Sequence, residues 1–295
     1  MIVFLVKLFL LQKSTLQLLR FKFSFFLMPV FWFALSQVQH INTLHAIIVF
    51  FILHLLLYPA SNGYNSFMDK DTESIGGIEK PLQPTKQLYY CTVVLDSIAI
   101  VLSYFIGLYF MLGIIAYIMA SKAYSWRRIR LKKYPIIGYL TVVIFQGCLT
   151  FFLVLHGSSE ERIIQVPVPG MICAGLLIGG FYPLTQIYQH RQDKEDGVNS
   201  ISSMLGYKGT FVFTGIVYVL AVCCLGYYLV SKGGGKNFFI IQLFFLPIVV
   251  YFVWWFKKIT ENTSAANYKN TMRMNILASI CSNFAFITLL ILEKF

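Results

Sequence analysis

The chain has 295 residues, of which 58% are hydrophobic and only 12% charged, and its mean hydropathy is +0.70. A soluble domain carries about 25% charged residues, so these proportions exclude a cytosolic enzyme, a disordered chain and a disulfide scaffold, and they point to a polytopic membrane protein. For such a chain the net charge of +12 raises the question of which membrane face carries it, not which nucleic acid it binds.

At the start of the sequence, MIVFLVKLFLLQK is an apolar stretch broken by Lys7, with no small-residue cleavage site after it. Lys7, Lys13, Gln17 and Arg20 among Leu and Phe predict an amphipathic helix on the membrane surface over 1–20, ahead of a membrane domain over 21–295. Apolar runs near 21–37, 42–60, 88–105, 108–121, 135–155, 165–188, 209–230, 237–256 and 273–292 predict nine spanning helices and an all-α fold. Residues 88–121 form one apolar stretch, which as a single helix would be about 50 Å long, too long for one crossing. A break at Gly107 divides it in two.

The basic residues test that division. With nine helices and the N-terminus inside, twenty of the 24 Lys and Arg fall on the cytoplasmic side, and only Arg162, Lys232, Lys236 and Lys294 fall outside. Eight helices would move the later loops to the other face, against the positive-inside bias. The same arrangement explains the net charge without a nucleic-acid partner. Cys91, Cys148, Cys173, Cys223, Cys224 and Cys281 all lie in apolar runs with no metal-ligand spacing, and read as packed hydrophobes.

Two inside loops hold most of the acids. The first segment reads YPASNGYNSFMDKDTESIGGIEKP, in which Asn65, Asp69 and Glu73 are spaced by four. On a helix these three share a face, and an amide with two carboxylates makes a hard-oxygen set suited to Mg²⁺. Asp71 points elsewhere unless the helix unwinds. The second segment reads FYPLTQIYQHRQDKEDGVNSISSMLG, where Gln189, Asp193 and Gly197 repeat the spacing of four. Two such oxygen clusters facing each other suit two Mg²⁺ ions and a diphosphate. Lys80, Arg128, Arg130, Lys132, Lys133, His190, Arg191 and Lys208 are candidates to neutralise the remaining charge. The competing reading of SWRRIRLKK is a topology anchor.

This pattern resembles the UbiA superfamily of intramembrane prenyltransferases. The family's first motif, Asn-x3-Asp-x3-Asp followed by a basic residue and Pro, falls on Asn65, Asp69 and Glu73 and then Lys80-Pro81. Its second, Asp-x3-Asp with Gly four residues on and a further Gly-ended stretch, falls on Gln189, Asp193, Gly197 and Gly206. The sequence departs from the pattern at Glu73, which keeps the charge, and at Gln189, which loses one. The resemblance implies nine helices around a central cavity, with metal held by Asn65, Asp69, Glu73, Gln189 and Asp193. Asp69 and Asp193 are the catalytic pair that it implies. Lys80, Arg128, Arg130, His190, Arg191 and Lys208 are the diphosphate contacts it implies. It further implies Mg²⁺ as cofactor, a prenyl diphosphate donor, a lipophilic acceptor of aromatic type, and surrounding membrane lipid. The expected location is the cytoplasmic membrane of a bacterium, with the site loops on the cytoplasmic side.

Two other readings compete. An inactive homologue that binds a prenyl lipid is supported by Gln189. A transporter or channel would place ionisable groups deep in helices, for which Asp96, His45 and His54 are candidates. The acceptor and the length of the prenyl tail are not legible in the sequence.

Overall fold

The computed structural model describes residues 11–294. Among them nine helices are long and apolar enough to cross a membrane: α1 (Lys13–Ser36), α2 (Thr43–Asp69), α3 (Lys86–Ile106), α4 (Leu108–Ser125), α5 (Pro135–Ser158), α6 (Val168–Glu195), α7 (Ile201–Ser231), α8 (Gly235–Glu261) and α9 (Tyr268–Lys294). Among the described residues β pairing is limited to two isolated bridges, Ile41–Ser159 and Ile75–Ile78. The chain is therefore an all-α integral membrane protein. Residues 1–10 of the predicted surface helix lie outside the described residues. Its remainder is a short helix, Lys13–Leu18, set off from the next turn of α1 by Arg20, whose φ of 50° is left-handed.

The helices fall into two compact units. One is formed by the described residues up to Phe25 together with Phe50–Arg130, the other by Phe26–Val49 with the chain from Leu131 onward.

In the first unit, α2 carries a π-turn over Ile52–Leu57, which ends two residues before Pro59. A proline inside a helix withholds its N–H and crowds the carbonyl four residues back, and a wider turn relieves both. Gly107, at φ 154° and ψ 163°, separates α3 from α4 as predicted. Val101, Tyr104, Phe105 and Leu108 stand exposed beside that break, an apolar surface that only lipid would cover. The small side chains of Thr92, Ala99 and Ser103 instead lie on the buried face of α3. Leu18 and Leu19 pack against Leu88 and Ile75. Gln17 fastens the loop after α2, donating to the Lys80 carbonyl at 3.2 Å and accepting from the Leu82 amide at 2.8 Å.

In the second unit, α5 and α6 meet through glycine. A Cβ on Gly147 would stand 2.5 Å from the Cα of Gly175, so this approach leaves no room for any side chain. Phe33 of α1 sits within 4.9 Å of the Phe286 ring and 5.2 Å of the Phe151 ring, joining α9 and α5 to it. Gly206, at φ 68° and ψ 176°, kinks α7 near its start.

Candidate active site

The first acidic segment is built on the end of α2. The helix stops at Asp69, and Lys70 comes next in the left-handed conformation at φ 54° and ψ 42°. The shared helical face predicted for Asn65, Asp69 and Glu73 therefore covers only Asn65 and Asp69. Glu73 lies beyond the helix end, in the loop, because the left-handed cap turns the chain away before another turn can form. Asp71 lies in the same unwound stretch.

The end of α4 and the loop after it hold this segment. Ser61 of α2 bonds Ser121 of α4 at 2.7 Å, and Asn65 Nδ2 donates to Ser125 Oγ at 2.9 Å. The pairs are each four residues apart in both helices, so the contact runs as a parallel ladder. Arg127 donates to the carbonyls of Met68 at 2.8 Å and Asp69 at 3.3 Å, taking two of the carbonyls that a helix end leaves without partners. Arg130 lies 3.7 Å from the Asp69 carboxylate, whose side chain is 4% exposed. Arg128 turns instead toward the ring of Trp126, 5.8 Å from its centroid. Lys80 is exposed, and its backbone carbonyl is bonded to Gln17.

Deeper in this unit, Asp96 of α3 and Lys122 of α4 form an ion pair at 2.7 Å, and the Lys122 ammonium also stands 4.1 Å from the Tyr64 ring centroid. His54 is fully buried between Phe50 and Tyr58, with ring centroids 4.5 and 5.1 Å away. Two of the three groups that suggested a transporter, Asp96 and His54, are thus engaged in helix packing. His45 lies in the second unit near the start of α2, where its backbone amide bonds the Asn42 side chain at 3.0 Å.

The second acidic segment lies at the end of α6. A 3-10 turn over Ile187–Gln189 comes after Pro183, and a short helix, His190–Glu195, carries Asp193 before Gly197 turns left-handed. Gln189 heads that helix, one turn before Asp193, and both are half-buried. The Asp193 carbonyl accepts from the Val198 amide at 2.7 Å, folding the loop back onto the helix end. His190 is held away from an outward role: Nε2 bonds Ser202 Oγ at 2.7 Å, and the ring stacks on Tyr207 at 4.7 Å. Arg191 and Lys208 are exposed.

Among the described residues, no three His, Cys, Asp or Glu side chains gather closely enough to cage a metal by themselves. Mg²⁺ keeps to one or two carboxylates and takes the rest of its shell from water and substrate phosphate oxygens. Asn65 and Asp69 carry hard oxygens of that kind, and Arg130 lies beside the Asp69 carboxylate.

The second unit also holds a cavity of about 270 Å³ lined from α1, α6, α7, α8 and α9. Its walls include Phe181, Phe245, Phe252 and Phe286, and its polar atoms come from Thr214, Tyr218, Ser279 and Ser282. None of its lining side chains is charged.

Sequence comparison agrees with this architecture. Residues 26–277 match the UbiA prenyltransferase family. The chain belongs to that family. This UbiA protein also shares its fold with solved structures of low sequence identity. A UbiA homologue from Archaeoglobus fulgidus bound to DMAPP and Mg²⁺ is 16% identical with a TM-score of 0.68, covering 94% of this chain and 99% of its own. The apo structure of a UbiA homologue from Aeropyrum pernix K1 is likewise 16% identical at a TM-score of 0.68, over 91% and 98% of the two chains. The structure from a study of digeranylgeranylglyceryl phosphate synthase is 20% identical at a TM-score of 0.63, over 95% and 98%. No curated protein sequence matches the UbiA chain.

Reasoning from sequence missed the contacts that Ser125, Arg127 and Lys122 make with the first acidic segment. The only available signal was that Ser121 and Ser125 repeat the spacing of Ser61 and Asn65.

Proposed function

We propose that this protein is a Mg²⁺-dependent prenyltransferase that moves the prenyl group of a prenyl diphosphate onto a lipophilic acceptor within the membrane. The observation that carries this reading is the Asp69 carboxylate, set at the end of α2 beside Asn65 and 3.7 Å from Arg130. Family membership and the fold shared with prenyl-diphosphate-bound homologues support it.

Asn65 and Asp69, with Glu73 from the adjoining loop, would hold a metal at the first motif, and Gln189 and Asp193 would hold one at the second. When bound, Mg²⁺ supplies positive charge to the diphosphate oxygens and makes diphosphate a better leaving group. Arg130 adds cationic charge at the first motif, and Arg191 and Lys208 do so at the second. Their work is electrostatic: negative charge grows on the bridging oxygen as the C1–O bond breaks, and fixed cations stabilise that change. The electron pair leaves with the diphosphate, C1 gains carbocation character, and the acceptor atom that attacks C1 gives up one proton. The uncharged cavity of the second unit suits an apolar prenyl tail. His190, bonded to Ser202 and stacked on Tyr207, serves the fold of the second motif more than the diphosphate.

Purified protein in lipid nanodiscs, given labelled prenyl diphosphates of several lengths with membrane lipid extract, tests this reading. Label should move into a lipid-soluble product only when Mg²⁺ is present. No labelled product at any tail length would contradict it.

A further inference from the structure

We infer that Ser125 is a positioning residue whose hydroxyl fixes the Asn65 amide so that its carbonyl oxygen, and not its NH₂, is offered to the cation. The inference rests on reading Asn65 as a magnesium ligand. An amide is a two-faced ligand: one end accepts and can bind a cation, while the other carries two N–H donors that repel it. A carboxylate has no such ambiguity. Any asparagine used as a ligand therefore needs something to hold its nitrogen on the other side.

Ser125 supplies that hold. Its side chain is 1% exposed, it closes α4, and its Oγ accepts from Asn65 Nδ2 at 2.9 Å. With Nδ2 engaged, Oδ1 is the amide end that is not bonded to Ser125. The geometry is fixed independently of Ser125 itself. One turn earlier the same two helices are joined by Ser61 and Ser121 at 2.7 Å, and Lys122 lies against the ring of Tyr64, next to Asn65. Just beyond, Arg127 grips the Met68 and Asp69 carbonyls. Removing one hydroxyl from the ladder leaves the helices paired and frees only the amide to turn.

Partners of this kind, one bond removed from a metal, typically change affinity by about 10- to 100-fold. The test reads metal binding and not turnover. Mn²⁺ is titrated by electron paramagnetic resonance into the purified full-length protein with geranyl thiodiphosphate, an analogue that resists ionisation. Ser125→Ala should weaken Mn²⁺ binding by roughly tenfold, and Ser125→Thr, which keeps the hydroxyl, should restore most of it. The decisive arm is Asn65→Asp. Both carboxylate oxygens can face the cation, so Ser125→Ala added to Asn65→Asp should change Mn²⁺ affinity by less than about twofold, against the tenfold effect beside the amide. An equal loss in both backgrounds would mean that Ser125 serves packing alone, and would overturn the inference. Unchanged affinity in Ser125→Ala would overturn it too. If the unsubstituted protein takes up no Mn²⁺ under these conditions, the metal reading of Asn65 falls and this inference falls with it.

Discussion

Asp96 and Lys122 form a 2.7 Å ion pair between α3 and α4, with side chains only 11% and 25% exposed. Such a pair offsets the cost of two desolvated charges, and removing one member leaves the other stranded. Asp96→Ala alone should therefore destabilise the fold by roughly 3 kcal/mol, while the double variant Asp96→Leu with Lys122→Met should recover much of the loss. Thermal unfolding of the variants beside the native chain in one detergent gives the coupling directly. Equal destabilisation by the single and double variants would show that the pair itself contributes nothing.

Asp69→Ala and Asp193→Ala should each lower turnover by at least about 10²-fold, the scale for losing a major stabiliser of transition-state charge. Asp193 is half-buried near a helix end, so its variant should unfold at nearly the native temperature, whereas Asp69→Ala leaves Arg130 without its buried partner and should also lower the unfolding temperature. Full Mg²⁺-dependent turnover in both variants would remove these two residues from the site.

Gln189 is the position where the second segment lacks the carboxylate that the motif resemblance calls for. A neutral amide leaves a cation at the second motif short of negative charge, and hard cations favour anionic oxygen. Gln189→Asp should lower the half-saturating Mg²⁺ concentration by roughly tenfold, about 1.4 kcal/mol, reduced by whatever the shorter side chain loses in reach. If metal dependence is unchanged while Asp193→Ala still abolishes turnover, Gln189 does not face the metal, and Asp196 or Glu195 is the better candidate.

The topology makes a separate prediction. Single cysteines at Thr72 and Glu195, in a background without the native six, should be shielded from an impermeant reagent added outside the cell. Labelling of either from outside would place the acidic segments on the wrong face and invert the charge argument.

The nine crossings were legible because membrane spanning depends on length and charge, both of which are local. The break at Gly107 is expected of an apolar stretch too long for one helix, and the structure shows that glycine at a φ of 154°. Helix ends were less legible. The apolar windows near 42–60 and 165–188 continue as helix to Asp69 and Glu195, because a helix leaving the membrane needs no further apolar residues. The motif spacing singled out Asn65, Asp69 and Glu73 on the premise of a continuous helix, which Lys70 ends before Glu73. The contacts of Arg128, His190 and Ser125 were not legible. Arg128 turns to Trp126 by local packing, His190 meets Ser202 only because the chain folds back after Gly197, and Ser125 meets Asn65 across sixty residues.

The most direct test of the central claim is diphosphate release from a labelled prenyl diphosphate by the purified protein in nanodiscs with membrane lipid. It is measured with Mg²⁺, with Mg²⁺ removed by chelator, and with Asp69→Asn in place of the native chain. Release that requires Mg²⁺ and falls at least about 10²-fold in Asp69→Asn is the predicted result. Release that is indifferent to both the chelator and the substitution, or no release from the native chain at all, would contradict the account.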